Sequence, residues 1–244
     1  MQNIVLAGAT GGIGRAIAKR LLKAPDTAVW GLCRAPEDEQ DWIDEYQGRL
    51  RLGRWDGSCP GQFKERIASL LPADAQVDGL IFASGLLHGE GVKPEKRLED
   101  VDASNLEHAF TINAMAFPLL VQALLPWLRH KEPKRLMAIS AKVGSLTDNR
   151  MGGWYAYRAS KAALNMFVRN LAIELPRRTR GMCCVAVHPG TTRTPLSAPY
   201  EQSLAQLVVH DADETADNMV TVFEKLTDAD NGRFINWDGT DLPW

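Results

Sequence analysis

The chain has 244 residues, of which 45% are hydrophobic, and a formal net charge of −2 at pH 7 with a pI near 6.2. This balance argues against a nucleic-acid-binding surface, and the hydrophobic content is sufficient for a large core. The most apolar stretch, residues 114–128, contains Pro118, Gln122 and Pro126 and is too short to cross a bilayer, so we expect no membrane partner. No basic leader precedes the first strand, and we therefore expect a cytoplasmic location.

Strand-like and helix-like segments alternate along the chain, a pattern typical of a parallel sheet with helices on both faces. Apolar runs predict strands near residues 3–7, 28–32, 50–52, 78–83, 135–140, 183–188 and 233–236. Helices are predicted near residues 12–24, 60–71, 103–130, 154–175 and 213–228. The acidic run from Glu37 to Glu45 is expected to be a solvated turn or short helix. We find no linker or repeat and expect one domain over residues 1–244.

The first predicted strand runs directly into a glycine-rich turn. Residues 2–14 read QNIVLAGATGGIG, with glycines at positions 8, 12 and 14 of the chain. Gly8 would allow a tight turn, Gly12 would let main-chain N–H groups approach a diphosphate at a helix N-terminus, and Gly14 would let helix and strand pack closely. The spacing differs by one residue from the commoner dinucleotide-binding fingerprint but predicts the same use.

Tyr157 and Lys161 lie four residues apart, which places them on one face of a helix about one turn apart. A free phenol, with a pKa near ~10, is a poor acid or base at neutral pH. A neighbouring ammonium group favours the phenolate and would lower the pKa of the tyrosine toward the working range. The pair therefore predicts a proton-transfer site.

With both motifs present, the chain resembles the short-chain dehydrogenase/reductase family over essentially its whole length. Further family positions are Phe82-Ala83-Ser84-Gly85, Asn113 and residues 188–194, HPGTTRT. The block GGWYAYRASKAALN at 152–165 and the ending NWDGTDLPW at 236–244 are most similar to the C-factor and sniffer-type carbonyl reductase branch. The resemblance implies a Rossmann-type, doubly wound α/β fold with seven mainly parallel strands in the order 3-2-1-4-5-6-7 and the ligand at their carboxyl ends.

The reaction that the resemblance implies is hydride transfer between a nicotinamide and a small carbonyl or alcohol substrate. In this scheme Tyr157 protonates the developing alkoxide, Lys161 also hydrogen-bonds the nicotinamide ribose, and Asn113 orders a water that links Lys161 to solvent. The three residues are also implied to lie at the cofactor. Further cofactor contacts are implied at Gly8, Thr10, Gly11, Gly12, Ile13, Gly14, Arg34, Asp56, Gly57, Ala83, Ser84, Gly85, Pro189, Gly190, Thr191 and Thr194.

The serine that polarises the carbonyl in this family is displaced in this chain. The family pattern Ser-Ser-x-x-Gly places it three residues before the glycine, and here Ala141 occupies that position before Gly144. Successive strand residues point to opposite faces, so Ser140 does not replace it automatically. We expect a bulge or loop bend to turn Ser140 inward, with Ser145 as the alternative hydroxyl. If neither reached the carbonyl, the enzyme would be slow.

Cofactor choice depends on the residue that follows the second strand. Family members that prefer NAD carry an aspartate there, which would repel a 2′-phosphate. This chain has Arg34, whose planar guanidinium can grip a phosphate, and Arg15 is a candidate second cation. We therefore expect NADP(H) to be preferred, with NAD(H) as the alternative.

Three segments are long enough to be functional loops, namely residues 85–101, 141–153 and 190–212. The last of them contains Pro195, Pro199 and Tyr200 and corresponds to the place where the family carries a substrate lid. The residues of this lid are mostly small, polar or aliphatic, and they select no particular carbonyl compound.

Two further expectations concern assembly and an alternative function. Family members pair through the long helices here near 103–130 and 154–175, which implies a homodimer or homotetramer. The displaced serine motivates the alternative of a C-factor-like signalling protein that binds the nucleotide but turns over slowly. No metal site is expected, because neither the four cysteines nor the five histidines have ligand spacing.

Overall fold

A computed structural model of the protein describes residues 1–89, 92–199 and 208–244. Its centre is a seven-stranded parallel sheet in a single domain. The strands of this sheet are β1 (Gln2–Ala7), β2 (Thr27–Cys33), β3 (Leu50–Arg54), β4 (Gly79–Phe82), β5 (Lys134–Ile139), β6 (Met182–His188) and β9 (Phe234–Asn236). They lie in the order β3-β2-β1-β4-β5-β6-β9. A separate short ladder pairs β7 (Thr191–Thr192) with β8 (Val209–His210).

Helices cover both faces of the sheet. They are α1 (Gly12–Leu21), α2 (Gln40–Glu45), α3 (Phe63–Leu70), α4 (Ala103–Phe110), α5 (Ala116–Leu124), α6 (Tyr155–Arg178) and α7 (Ala212–Lys225). A π-helical turn, Thr111–Met115, joins α4 to α5. Within the described ranges, none of the helices combines the length and the apolar character needed to cross a membrane.

The sheet is buried on both sides, which explains why its strands are apolar runs without polar alternation. In β1, Val5 and Ala7 belong to the core formed with α3, α5 and α6, whereas Ile4 and Leu6 belong to the core formed with α1 and α7. Successive residues of one strand therefore supply two separate hydrophobic layers. These layers fix the carboxyl ends of the strands along one edge of the sheet.

The predicted fold class and strand order are confirmed. Each predicted strand corresponds to a strand of the large sheet, with ends that differ by no more than two residues. The acidic run after β2 forms a 3₁₀ turn, Pro36–Glu39, which is followed by the short helix α2. This agrees with the prediction of a turn or short helix. The β7–β8 ladder was not predicted, because its strands are only two residues long.

The prediction of one continuous helix over residues 103–130 is wrong in two respects. The helix passes through the π turn, where the N–H of Ala116 bonds to the carbonyl of Thr111, five residues earlier. Pro118 lacks the N–H that an α-helix would donate to Ala114, which favours a change of hydrogen-bond pattern here. The helix then ends at Leu124.

Helix α6 continues to Arg178, past the end predicted at residue 175. Pro176 removes the N–H that would bond to the carbonyl of Ala172. The side-chain amide of Asn231 donates to this carbonyl instead, at 2.8 Å. A residue distant in the chain thus satisfies the acceptor that the proline leaves free.

The four cysteines are free thiols in different surroundings. Cys33, Cys183 and Cys184 are buried, and Cys59 is exposed. Burial raises the pKa of Cys33 to about 11 and that of Cys183 to about 12, and it raises the pKa of Cys184 as well. The three buried thiols are therefore poor nucleophiles at neutral pH.

Candidate active site

The glycine turn after β1 packs against the backbone that follows β4. Gly8 has a φ of +81°, and a Cβ built on it would lie 3.0 Å from the carbonyl carbon of Ala83 and 3.0 Å from the amide nitrogen of Ser84. A Cβ on Gly14 would overlap the carbonyl oxygen of Gly8. Glycine is therefore required at both positions for α1 to begin so close to β1 and β4.

The first turn of α1 presents main-chain N–H groups at this edge of the sheet. Its N-cap is Gly11, which has no side chain to occupy those groups, and no acidic residue lies in the turn. Thr10 and Ile13 beside it are partly exposed. A Cβ on Gly12 would lie 3.0 Å from Cγ2 of Thr194, so Thr194 borders the same helix end. Such an end suits a phosphate group.

The segment after β7 is held over this edge by a histidine. Nε2 of His88 lies 3.1 Å from the carbonyl oxygen of Pro195 and 3.0 Å from that of Leu196. This contact joins the loop after β4 to the segment predicted as a substrate lid. In that segment Pro199 is exposed, whereas Tyr200 lies outside the described residues.

Tyr157 and Lys161 lie in the first two turns of α6. The Lys161 ammonium group donates to the carbonyl of Ile139 at 2.9 Å and lies 5.8 Å from the centre of the Tyr157 ring. Lys161 is 3% exposed, and burial lowers its pKa to about 8. Burial raises the pKa of Tyr157 to about 12. The predicted lowering of the tyrosine pKa is therefore wrong in this arrangement. Burial destabilises the phenolate more than the ammonium group, which is directed to the Ile139 carbonyl of β5, stabilises it.

Asn113 is buried in the π turn and connects two parts of the site. Its amide nitrogen donates to the carbonyl of Leu86 at 2.8 Å and to the hydroxyl of Ser160 at 3.0 Å, and its oxygen accepts the N–H of Leu86 at 2.6 Å. A Cβ on Gly85 would lie 3.7 Å from Oδ1 of Asn113 and 3.7 Å from Nζ of Lys161. The structure thus brings Asn113 and Lys161 together beside the loop after β4.

The hydroxyl of Ser140 is directed to another buried side chain. It donates to Oδ1 of Asn165 at 2.6 Å, and both residues are buried. Asn165 lies about 12 Å along the helix axis from Tyr157, so this hydroxyl is directed to a different part of α6. Ser145 is also buried, and its oxygen accepts the N–H of Asp148 at 3.1 Å. The hydroxyl hydrogen of Ser145 has no acceptor within residues 1–89, 92–199 and 208–244.

Arg34, at the end of β2, is exposed, and its guanidinium makes no hydrogen bond or ion pair with the described residues. Arg15, by contrast, forms an ion pair with Glu39 and lies over the ring of Trp42, 4.5 Å from its centre. The side chain of Arg34 is therefore available to a ligand, whereas that of Arg15 already has partners.

The turn after β3 lies beside the backbone that follows β4. The carboxylate of Asp56 accepts the N–H of Ser58 at 2.9 Å and its hydroxyl at 2.8 Å. A Cβ on Gly57 would lie 3.2 Å from the ring of Trp55 and 3.6 Å from Oγ of Ser84. Gly57 thus lies beside Ser84, whose backbone Gly8 contacts, and the resemblance implies an adenine at Asp56 and Gly57.

The segment after β6 turns sharply at Gly190, which has a φ of +80°. A Cβ on this glycine would lie 2.9 Å from Cδ2 of His210 and 3.1 Å from Cδ1 of Trp237. Pro189 before it is buried, and Thr191 after it begins β7. The two rings therefore fix the backbone that is implied at the nicotinamide end.

Two polar side chains of the site were missed by sequence reasoning. Ser160 accepts the hydrogen bond from Asn113 and donates to the carbonyl of Tyr157 at 2.9 Å. Its position inside the Tyr-x-x-x-Lys motif was the available signal. Glu95 accepts the N–H of Ala156 at 3.2 Å, and no local pattern could reveal a contact between such distant parts of the chain.

Comparison with known proteins identifies the family of the chain. The profile of the short chain dehydrogenases matches residues 2–205. C-signal of Myxococcus xanthus is 37% identical to the chain over 147 residues, which cover 60% of this chain and 83% of C-signal.

Two solved structures extend the comparison to the whole chain. The carbonyl reductase Sniffer of D. melanogaster shares the fold, with a TM-score of 0.86, 24% identity and 100% of both chains covered. The NADPH-bound carbonyl reductase from chicken fatty liver has a TM-score of 0.86 and 25% identity over 100% of this chain and 94% of its own. The predicted similarity to C-factor and sniffer proteins is confirmed. Because the family profile covers most of its length, the chain belongs to the short-chain dehydrogenase family of oxidoreductases.

Proposed function

We propose that this protein is an NADP-dependent carbonyl reductase in which Tyr157 is the general acid. The observation that carries the proposal is the grouping of a buried Lys161 with Asn113 and Tyr157 at the carboxyl edge of the sheet. This group lies next to a turn in which Gly8 and Gly14 leave no room for side chains. When bound, the cofactor supplies the hydride.

The residues at this edge suit a dinucleotide. The open first turn of α1 would hold the diphosphate, because its N–H groups have no capping side chain. Lys161 would hydrogen-bond the nicotinamide ribose. The segment from Pro189 to Thr191, with Thr194 beyond it, would border the nicotinamide, and Asp56 with Gly57 would border the adenine.

Tyr157 would donate its proton to the alkoxide oxygen that develops during reduction. With a pKa of about 12, the phenol is protonated throughout the neutral range, as an acid in this direction must be. Lys161, with a pKa of about 8, would supply a replacement proton. Asn113 would order the water that connects Lys161 to solvent.

We propose Ser145, rather than Ser140, as the hydroxyl that polarises the carbonyl. The hydroxyl of Ser140 is already donated to Asn165, whereas the hydrogen of Ser145 has no acceptor in the described part of the chain. Gly144, which precedes Ser145, packs directly on Lys161, since a Cβ on it would lie 2.8 Å from Cβ of the lysine. A donor at this place would stabilise negative charge on the carbonyl oxygen.

NADPH is the proposed cofactor because Arg34 has no partner among the described residues and no carboxylate occupies its position. The similar chicken enzyme binds NADPH, which supports this choice. We expect NADPH to bind at least about tenfold more tightly than NADH, which corresponds to ~1.4 kcal/mol. In fluorescence titrations Arg34→Ala should weaken NADPH binding and leave NADH binding unchanged. Arg54→Ala, in which the lost guanidinium pairs with Glu37, is the control, and equal affinities for the two cofactors would contradict the proposal.

Activity is tested by following NADPH oxidation with panels of aldehydes, ketones, quinones and pteridines. Turnover of any of these by the wild type, and its loss in Tyr157→Phe, would support the reductase. A protein that binds NADPH tightly but reduces none of them would contradict it.

The second candidate function is that of a nucleotide-binding signalling protein with little turnover. The similarity to C-signal and the presence of Ala141 at the usual serine position favour it. This candidate predicts NADPH binding without carbonyl reduction, so the same substrate panel separates the two.

We also propose a homodimer or homotetramer. Met166 and Ile173 lie seven residues apart on α6, which places them on one face of the helix, and they are 61% and 50% exposed. Pairing through this face would bury both side chains. Light scattering at micromolar concentration tests the proposal, and a monomer mass would contradict it.

A further inference from the structure

A buried carboxylate lies beside the first turn of the helix that carries Tyr157. Glu95, in the loop between β4 and α4, is only 2% exposed and forms no ion pair with the described residues. Its Oε1 accepts the side-chain N–H of Asn105 at 2.5 Å, and its Oε2 accepts the main-chain N–H of Ala156 at 3.2 Å. A charge buried without a counter-ion is costly, so these hydrogen bonds and the helix end must stabilise it.

The main chain of the same residue holds the approach to α6. The carbonyl of Glu95 accepts the N–H of Trp154 at 2.5 Å. Gly152, Gly153 and Trp154 have φ values of +64°, +65° and +49°, a left-handed run that ends in a bulky residue. Such a conformation persists in a tryptophan only when its surroundings enforce it. Glu95 supplies one of these enforcing contacts.

The first turn of α6 depends on Glu95 for its cap. The N-cap residue is Trp154, which contributes no side-chain cap. The N–H groups at a helix start need acceptors, and the carboxylate of Glu95 supplies one from a different part of the chain. Tyr157 follows Ala156 directly, and its ring lies 6.2 Å from that of Trp154, centre to centre, at 74°.

We propose that Glu95 is a positioning residue that fixes the start of α6 and, through it, the direction of the Tyr157 hydroxyl. The inference rests on the proposed reductase function, since Tyr157 is the acid that is positioned. Through Asn105, the carboxylate also ties this turn to α4, the helix that leads into the π turn of Asn113. Glu95 thus holds Tyr157 in register with the remaining site residues.

Two substitutions separate the hydrogen bonds of Glu95 from its charge. Glu95→Met fills the same space but removes the carboxylate acceptor of the Ala156 N–H and of the Asn105 amide, which keeps, among the described residues, only its long hydrogen bond to the carbonyl of Lys93, at 3.4 Å. Glu95→Gln keeps the acceptor for Ala156. The amide of Asn105 can turn to present its Oδ1, which has no hydrogen-bond partner in the part of the chain that the structure describes. Glu99→Met, at an exposed position of the same loop, is the matched control.

We expect Glu95→Met to lower kcat by about tenfold to a hundredfold relative to Glu99→Met, because a small misplacement of a reacting group slows the chemical step strongly. The Kd for NADPH should stay within about twofold of the wild-type value. Glu95→Gln should recover kcat to within about threefold of the wild type. A variant that loses melting temperature but keeps kcat per folded molecule would overturn the positioning role. Equal loss of kcat in Glu95→Gln and Glu95→Met would overturn it as well.

Two additional measurements test the role of Glu95 if Glu95→Met does not fold or if the proposed reductase function is wrong. Should Glu95→Met not fold, Asn105→Ala removes one partner of the carboxylate and should still lower kcat, while an unchanged kcat would overturn the proposal. Hydrogen exchange of the peptide covering residues 152–158 requires no substrate. If the wild type reduces no carbonyl, the reductase proposal fails, and the Glu95 contact is judged on exchange alone. Faster exchange in Asn105→Ala than in Glu99→Met, with exchange in Glu95→Gln close to that of the wild type, upholds it, and unchanged exchange in Asn105→Ala overturns it.

Discussion

Replacing Lys161 with methionine tests how much the buried ammonium group of this residue lowers the free energy of unfolding. Lys161 is 3% exposed, and burial lowers its pKa from 10.5 to about 8. Below pH 8 the folded protein must hold an ammonium group that the unfolded chain leaves in water. Above pH 10.5 the amine is neutral in both states and this cost disappears.

The size of the effect follows from the two pKa values. Between them the unfolded chain binds more protons than the folded one, so the free energy of unfolding rises with pH. At about 1.4 kcal/mol for each tenfold change in proton affinity, a fall from 10.5 to about 8 corresponds to about 3 kcal/mol. Methionine has no charge to bury, but it leaves the Ile139 carbonyl unpaired at a cost of about 1–3 kcal/mol that does not depend on pH. Wild type should therefore gain about 3 kcal/mol over Lys161→Met between neutral pH and the ordinary lysine pKa.

Urea unfolding followed by far-ultraviolet circular dichroism at several pH values across this window gives the free energy of unfolding of both proteins. Lys64→Met, which replaces an exposed lysine of α3, is the control and should differ from wild type by the same amount at every pH. A difference in the free energy of unfolding between wild type and Lys161→Met that stays constant across the window would refute the reasoning. The folded site would then stabilise the ammonium group as well as water does.

Tyr157→Phe should lower kcat by about 10²–10⁴-fold with NADPH affinity near that of wild type, since it removes only the general acid. Tyr155→Phe, at a ring that is 39% exposed, should keep activity, and full activity in Tyr157→Phe would exclude the assigned acid. Ser140→Ala should lower the free energy of unfolding, measured in urea, by about 1–3 kcal/mol and leave kcat nearly unchanged. Ser145→Ala should lower kcat. The opposite pattern would assign polarisation of the carbonyl to Ser140. Gly14→Ala should abolish NADPH binding or folding, measured by fluorescence titration and circular dichroism, and an unchanged affinity would show that the turn can widen.

The strands and the glycine turn could be predicted because their causes are local. Both faces of β1, β5 and β6 are buried, so each strand is a continuous apolar run in the sequence. The spacing of Gly8 and Gly14 similarly reflects a close approach within one turn. Tyr157 and Lys161 could be paired because helical geometry alone sets their separation.

The features that were missed depend on contacts between distant parts of the chain. Pro176 ends many helices, but Asn231 supplies the missing hydrogen bond here and α6 continues. Ser140 is engaged by Asn165, a partner that no strand pattern indicates. The pKa of Tyr157 was expected to fall because the sequence shows the nearby ammonium group but not the burial that outweighs it.

The unequal surroundings of the cysteines make the protein suitable for site-selective labelling. Cys33, Cys183 and Cys184 are shielded by the core, so a maleimide dye at neutral pH should attach at Cys59 without any mutation. The N–H of Cys59 donates to the carbonyl of Asp56, which places the dye on the turn proposed to border the adenine. A fluorophore there would report cofactor binding directly, with no need for turnover or a known substrate.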